Sequence, residues 1–490
     1  MRVSREREIV LNIQTRIRRE GTYSHIAVRE ALDEAQKEGL SAQQRAFIKR
    51  LAEGVTERQA ELDAVIDAHT DRDGRKARIK PVIRDILRMG VYQILYMDSV
   101  PDAAACNEAV SLAKAKGKGQ LAGFVNAVLR AVARENAASS AAGDMHGARK
   151  TAERSAAAAG LKDENTRGFL PAWIRELWLS QFTKEETDAL TASMMEVRPV
   201  TIRLDERLGK EEQEEIISKI REAGVRVEPG RFLPYAFDLK GAAALQDLPG
   251  FKEGKWAVQD ESSMMAAEAA GLSGGEIVYD LCAAPGGKSM HCAAKLAAIN
   301  RGGAVFSFDL SPAKTALIRE NAARMRLSDM VIAQRDARLP FPEGERERAD
   351  VLLCDLPCSG LGVMGKKRDI KYRVRPEQLS ELAALQKQIL EAGITALKPG
   401  GTLIYSTCTI DRFENEEIAS YIENELGLIP DPLAPHLPQS LLARSARGAA
   451  EEDREEKTRA AGSLRGHHLQ LLPSVHGTDG FYIARFKKAL

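Results

Sequence analysis

Cysteine is scarce in this chain, six residues in 490, and that scarcity excludes a disulfide framework. The charges of the opening "MRVSRERE" are not followed by an apolar stretch of the secretory kind, so a reducing, cytoplasmic setting is expected. Long hydrophobic runs are missing as well. Even "KPVIRDILRMGVYQILYM" at 80–97 is broken by charges at helical spacing, so no membrane partner is expected. Charge of one sign is nearly cancelled by the other, 71 basic against 70 acidic residues for a net of +1. A uniformly basic protein is thereby excluded, and nucleic-acid contact is left to local patches. Two phosphate-binding fingerprints are absent from "YDLCAAPGGKSMHCAAKLA" at 279–297. It has no G-x-G-x-x-G, and Cys282 stands five places before Gly287, where a Walker A loop carries a glycine.

What is present divides along the chain. With 44% hydrophobic residues over 490 positions, the protein exceeds a single core, and two or three globular units are expected. Residues 1–136 carry apolar positions three and four apart in "REIVLNIQTRI", "IRDILRMGVYQILY" and "AGFVNAVLRAVARE", which predicts an all-α bundle. Residues 137–165 shift to Ala, Ser, Gly and charge and read as a flexible linker. Residues 166–255 mix helical and β-like runs, a small α+β module. In 256–490, "EIVYDLC", "GAVFSFDL", "MVIAQRD", "ADVLLCD" and "GTLIYST" alternate with helical segments. That is the rhythm of a doubly wound, Rossmann-like α/β domain, whose ligands bind beyond the carboxyl ends of the strands. A second polar stretch at 439–468 reads as a solvated insertion. Its His467 and His468 have no partner at ligand spacing, so no metal is expected.

The strand ends carry the chemistry. Gly286 and Gly287 let backbone approach a ligand closely, and the helix that follows offers free N–H groups. Asp309 closes the next strand, where a carboxylate can take both ribose hydroxyls, and Asp336 closes the third, placed for an adenine amino group. Together they favour S-adenosylmethionine as cofactor. The fourth and fifth strands end on "CDLPCSG" (354–360) and "STC" (406–408), so two cysteines converge beside a methyl donor. Small buried hydrophobes are one reading of Cys358 and Cys408. The other is covalent catalysis: carbon 5 of cytosine is too poor a nucleophile to take a methyl until a thiolate adds to carbon 6. Lys288 and Lys371 are candidate sources of positive charge for that thiolate. Asp355 is suited to stabilise the adduct or to line the methionine end of the cofactor.

The ordered motifs "CAAPGGK", "FDLSPAK", "DLPCSGLG", "LKPGGTLIYSTCT", "ENE" and "DGFYIARF" resemble those of the RsmB/Nop family of RNA 5-methylcytosine methyltransferases. "VPDAAACNEAVSLAKAKGKGQLAGFVNAVLRAVAREN" resembles the closing part of NusB-like RNA-binding domains, a pairing that resembles the RsmB-like branch. The resemblance implies a NusB-like bundle, an RNA-binding α+β module and a methyltransferase domain. It also implies Cys408 as nucleophile and Cys358 as an aid to product release. The cofactor site is implied to comprise Cys282, Ala283, Ala284, Pro285, Gly286, Gly287, Lys288, Asp309, Asp336 and Asp355. The implied substrate is one cytosine of 16S rRNA, naked or in an early assembly intermediate, met by a monomer. "VQDESSM" at 258–264 and "RDIKYR" at 368–373 match further motifs, with Tyr372 in place of a stacking Trp. Basic stretches expected to meet RNA are "RIRRE" at 16–20, residues 365–375, and Arg203 or Arg207. The same chemistry on tRNA or another rRNA site remains open. So does a non-catalytic RNA-binding assembly or antitermination factor, although the paired cysteines would then be idle.

Overall fold

The computed structural model describes residues 3–70, 78–141, 170–196, 198–242, 245–447 and 464–490. It divides into two compact units, Met1–Arg175 with Lys367–Arg373, and Glu176–Lys366 with Val374–Leu490. No helix among the described residues is long and apolar enough to cross a membrane.

The first unit is helical: Arg5–Arg19, Ser24–Lys37, Ala42–Glu57, Gln59–Thr70, Pro81–Tyr96, Asp102–Ala115 and Ala122–Ala141. Local chemistry sets several starts. Ser41 and Gln44 form a reciprocal capping box, and Pro81 opens its helix where its missing N–H costs nothing. The apolar stripes meet in one core, in which Val10, Ile48, Leu51, Val65, Ile86 and Leu129 are fully buried. The final helix runs five residues past position 136, so the expected linker begins as helix; its remainder, 142–165, lies outside the described residues.

Lys367–Arg373 packs into this helical unit. Asp369 accepts from the Ser24 N–H at 2.9 Å and from its hydroxyl at 2.5 Å. Arg373 donates to Asp369 and to the carbonyls of Gly21 and Thr22, and Arg368 pairs with Glu57. The Tyr372 hydroxyl accepts from Ala60 N–H and donates to Glu57 O. Lys371 is 1% exposed, and burial, with Arg58 and Arg368 nearby, pushes its pKa well down. The expectation that this run faces RNA is therefore corrected for Arg368, Lys371, Tyr372 and Arg373, while Lys367 and Arg375 are exposed. Arg368, Tyr372 and Arg373 are engaged inside the helical unit, and Lys371 is enclosed there. In "RIRRE", Arg16 pairs with Glu20 and Glu30, and Arg18 with Asp85.

In the second unit the helix Lys184–Met195 precedes an antiparallel sheet formed by β1 (Val200–Leu204), β2 (Arg226–Pro229), β3 (Ala236–Lys240) and β4 (Trp256–Val258), of order β2-β3-β1-β4. The helix Lys210–Glu222 lays Ile216, Ile217 and Ile220 on its inner face. The sheet closes with β4, from residues that sequence alone placed at the start of the next domain. Arg203 is 0% exposed and donates to Gln259. Arg207 clasps Asp205 and the carbonyls of Met325 and Arg326. Neither is a free RNA contact, because each is consumed in packing the module.

The larger sheet is β5 (Ile277–Asp280), β6 (Ala304–Asp309), β7 (Met330–Gln334), β8 (Ala349–Asp355) and β9 (Leu397–Thr407), followed by β10 (Ile429–Pro430), β11 (Leu464–Arg465), β12 (His468–Leu471) and β13 (Phe481–Lys487). Its order is β11-β12-β13-β9-β8-β5-β6-β7, with β10 on β13. Strands β5 to β9 are mutually parallel, and β13 returns antiparallel along β9. The order reverses at β5, the switch point where doubly wound sheets open a ligand crevice. Of the expected insertion, Gln439–Arg447 is a helix, while 464–465 and 468 belong to strands; 448–463 lie outside the described residues.

Trp256 is fully buried, edge-on to Phe251, with its indole N–H on Pro249 O at 2.8 Å. Trp256→Ala should lower the urea-unfolding free energy of this unit by about 3–5 kcal/mol. An unchanged midpoint would deny Trp256 that core role.

Candidate active site

Strands β8 and β9 run parallel in a register that sets Cys354 opposite Tyr405 and Asp355 opposite Ser406. Each chain then leaves the sheet at its carboxyl end, so the two loops start as neighbours. Cys358 and Cys408 are the third residue past β8 and the first past β9, and their sulfurs lie 3.4 Å apart. Both are partly exposed, unlike the buried Cys106, Cys292 and Cys354.

Behind the thiols the loops are tied tightly. The Ser359 hydroxyl lies 2.6 Å from that of Thr409, and the Ser359 N–H donates to Glu414 at 2.9 Å. Gln386 donates to both Glu414 and Pro357 O. Gly362 N–H donates to Cys408 O and Gly362 O accepts from Gly480 N–H. A Cβ at 362 would stand 2.1 Å from the Gly480 carbonyl, so only glycine fits this crossing of three segments.

The hydrogen bond with Cys408, and then burial, push the Cys358 thiol well up. Burial works against the charge of Lys288, but Asp355 first and Cys408 further down outweigh it and hold the ammonium protonated. Lys288 Nζ lies 2.7 Å from Asp355 and sits over the Phe481 ring. The other Asp355 oxygen accepts from Ser406 at 3.0 Å. Burial raises Glu414 to about 7.

The "CAAPGGK" residues form the turn from β5 into the helix Gly287–Ile299. Gly286 has φ +103°, and a Cβ there would press on Ile318 and Met290. Asp309 accepts from the N–H groups of Ala284 and Ser311 at 3.3 Å, so the turn after β5 and the end of β6 face each other. Asp280, unremarked in the sequence, is 1% exposed, bonded through one oxygen to Ser289 at 2.5 Å. Its other oxygen is buried with no hydrogen-bond partner among the described residues, and burial raises it to about 7. An orphaned buried acceptor beside a glycine cradle and a ribose-type carboxylate fits an adenosyl cofactor with an ammonium group. Backbone from Cys282 to Gly287, Asp280 and Asp309 would hold it. Asp336 is less free than expected, since Arg338 donates three times to its carboxylate and lowers it to about 2. The Cys282 thiol is pushed up by burial. The metal-like grouping Glu206, Glu268 and His291 is bridged by Lys295, 3.2 and 2.5 Å from the two carboxylates.

The family model described as 16S rRNA methyltransferase RsmB/F matches residues 270–487, and the NusB family model matches 4–134. A Bacillus subtilis protein named probable ribosomal RNA small subunit methyltransferase B is 32% identical over 491 residues, covering 100% of both chains. The chain belongs to the RsmB/F methyltransferase family. A Synechocystis relative of the same name is 30% identical over 99% of each chain. The solved structure of NSun6 from Pyrococcus horikoshii with SFG shares the fold, with a TM-score of 0.52 at 20% identity over 65% of this chain and 98% of that one. As an RsmB/F member the protein is an S-adenosylmethionine-dependent methyltransferase with a NusB helical domain.

Several residues of this RsmB/F site escaped sequence reasoning. Glu414 and Asn415 were visible only as part of "ENE". Lys366, which pairs with Asp260 at 2.5 Å and Asp479 at 2.9 Å, was read as an RNA contact, and it instead ties "VQDESSM" to "DGFYIARF".

Two outcomes follow from this packing. Gly362→Ala should displace the Cys408 and Gly480 carbonyls and lower methyl transfer about a hundredfold; full activity in that variant would remove the crossing from the site. Glu414 has a folded pKa of about 7 against an ordinary 4.5. The unfolded chain therefore releases this proton first, and the group subtracts stability as pH rises from 4.5 through 7. Glu414→Gln should gain stability over wild type between pH 5 and pH 8, by up to about 3 kcal/mol in urea titrations. An equal difference at both pH values would rule out a neutral buried carboxyl.

Proposed function

We propose that this chain methylates carbon 5 of a cytosine in 16S rRNA through a temporary bond from Cys408 to carbon 6. The observation that carries the reading is the pair of partly exposed thiols 3.4 Å apart at the adjoining ends of β8 and β9. In this reading the Cys358 thiol, raised by its hydrogen bond with Cys408 and by burial, keeps its proton, and Cys408 is the sulfur that turns anionic beside Lys288. As the Cys408 thiolate bonds to carbon 6, the ring's 5,6 double bond opens and places an electron pair on carbon 5. S-adenosylmethionine supplies, when bound, the electrophilic methyl. Loss of the carbon 5 proton then re-forms the double bond and breaks the bond from Cys408 to carbon 6; Cys358 takes that proton as it hands its own to the departing Cys408 sulfur, 3.4 Å away. Asp355, with one oxygen on Lys288 and the other on Ser406, positions the ammonium.

Attack on one ring face and methylation at its edge require an unpaired or flipped cytosine, at a cost of about a few kcal/mol. Naked rRNA or an early assembly intermediate meets that need best, and a monomer suffices for the site.

The test is incubation of wild type, Cys408→Ala and Cys358→Ala with labelled S-adenosylmethionine and 16S transcript. Cys408→Ala should form neither 5-methylcytosine nor a covalent RNA adduct. Cys358→Ala should accumulate an adduct that resists denaturing gels. Turnover by Cys408→Ala at the wild-type rate would overturn the nucleophile assignment.

A further inference from the structure

The cations expected to meet RNA in the catalytic unit are largely consumed: Arg203 by Gln259, Arg207 by Asp205, and Lys366 by Asp260 and Asp479. The loop from β9 to the helix Glu416–Asn424 offers a different surface. Two adjacent exposed side chains, Arg412 and Phe413, stand between Asp411 and Glu414, which are 1% and 0% exposed. Phe413 is 47% exposed, and looseness does not explain it. Both feet of the loop stand on Ser359, the neighbour of Cys358, through Thr409 at 2.6 Å and Glu414 at 2.9 Å. The crest is pinned as well. Phe413 N–H donates to Asp411, Arg412 N–H to Gln181, and Gln181 to Asp411, each at 3.2 Å. Arg412 O accepts from the N–H groups of Asn415 and Glu417. Two Cα steps, one glutamate side chain and one hydrogen bond keep the Phe413 Cα within about 14 Å of the Cys358 Cα. Among the described residues no carboxylate pairs with the Arg412 guanidinium.

A phenyl ring held rigidly in solvent, beside an uncommitted guanidinium and close to the reacting thiols, matches the way proteins take single-stranded nucleic acid: a base stacks on the ring while a cation meets the phosphate. We propose that Arg412 and Phe413 seat a nucleotide that flanks the target cytosine in a single-stranded RNA segment. Phe413 stacks on its base and Arg412 contacts its phosphate. The target is thereby held unstacked in front of Cys408. This seat rests on the reading of the chain as an RNA methyltransferase acting through the thiol pair.

The test uses the full chain as wild type, Phe413→Leu, Phe413→Tyr and Arg412→Gln. Leucine keeps apolar bulk but has no ring face, so its loss is not a folding defect. Affinity for naked 16S transcript is read by filter binding. Stacking is read by fluorescence of an eight-nucleotide oligocytidine carrying one 2-aminopurine, and KM and kcat from methylation of the transcript. Phe413→Leu should weaken RNA binding about tenfold, abolish the 2-aminopurine quench and raise KM with kcat little changed. Phe413→Tyr should restore all three, and none of these variants should alter the affinity for S-adenosylmethionine. Arg412→Gln should reduce the salt slope of binding by about 0.7, the share of one phosphate on a single strand. Wild-type affinity and KM in Phe413→Leu, or no rescue by Phe413→Tyr, would overturn the seat. Wild type that binds and quenches the probe but makes no 5-methylcytosine would sink the enzymatic reading while leaving the seat supported.

Discussion

The parallel pairing of β8 with β9 is the constraint on which the site depends. Because Asp355 and Ser406 face each other across that pair, two loops separated by some fifty residues of chain leave the sheet side by side. The sulfurs of Cys358 and Cys408 meet as a consequence. A shift of register by one residue would turn every side chain to the opposite face of the sheet and separate the thiols. The seam is therefore secured from behind, by Ser359 against Thr409 and Glu414, and by Gly362 threaded between the Cys408 carbonyl and Gly480.

Around this seam the charges are arranged as positioned pairs. Lys288 lies between Asp355 and the Phe481 ring, and Lys366 joins Asp260 at one helix start to Asp479 before β13. Pairs of this kind add little net stability, because desolvation offsets their attraction, yet losing one partner is costly. Their effect here is geometric: they hold three segments distant in sequence at one strand end. The same logic explains why, among the described residues, cations near the site are largely paired, and why an exposed ring beside an arginine with no carboxylate partner among those residues stands out.

The local layers were legible. Spacings of three and four marked the bundle, alternating strand and helix marked the sheet, and an acid or cysteine at each strand end marked the crevice. Residues whose role depends on a distant partner were not. Arg203 and Arg207 look like RNA contacts in "TIRLDER" until Gln259 and the Met325 carbonyl are seen to take them. Residues 367–373 look like a solvated basic run until Ser24, Glu57 and Ala60 close around Asp369, Arg368 and Tyr372. The strand Trp256–Val258 is too short to register as periodic, and only its pairing with β1 reveals the sheet it completes.

By itself the sequence determined the order of the elements, the glycines of the cofactor turn and the presence of a cysteine at two successive strand ends. Those features are written in neighbouring residues and follow from backbone sterics and apolar period. Tertiary structure alone decided that the two sulfurs touch, that the Cys358 thiol is pushed up, that one Asp280 oxygen is buried with no hydrogen-bond partner among the described residues, and which cations are already spent. Each of these depends on burial or on an atom contributed from far along the chain, and neither distance nor desolvation is encoded in any short stretch of residues.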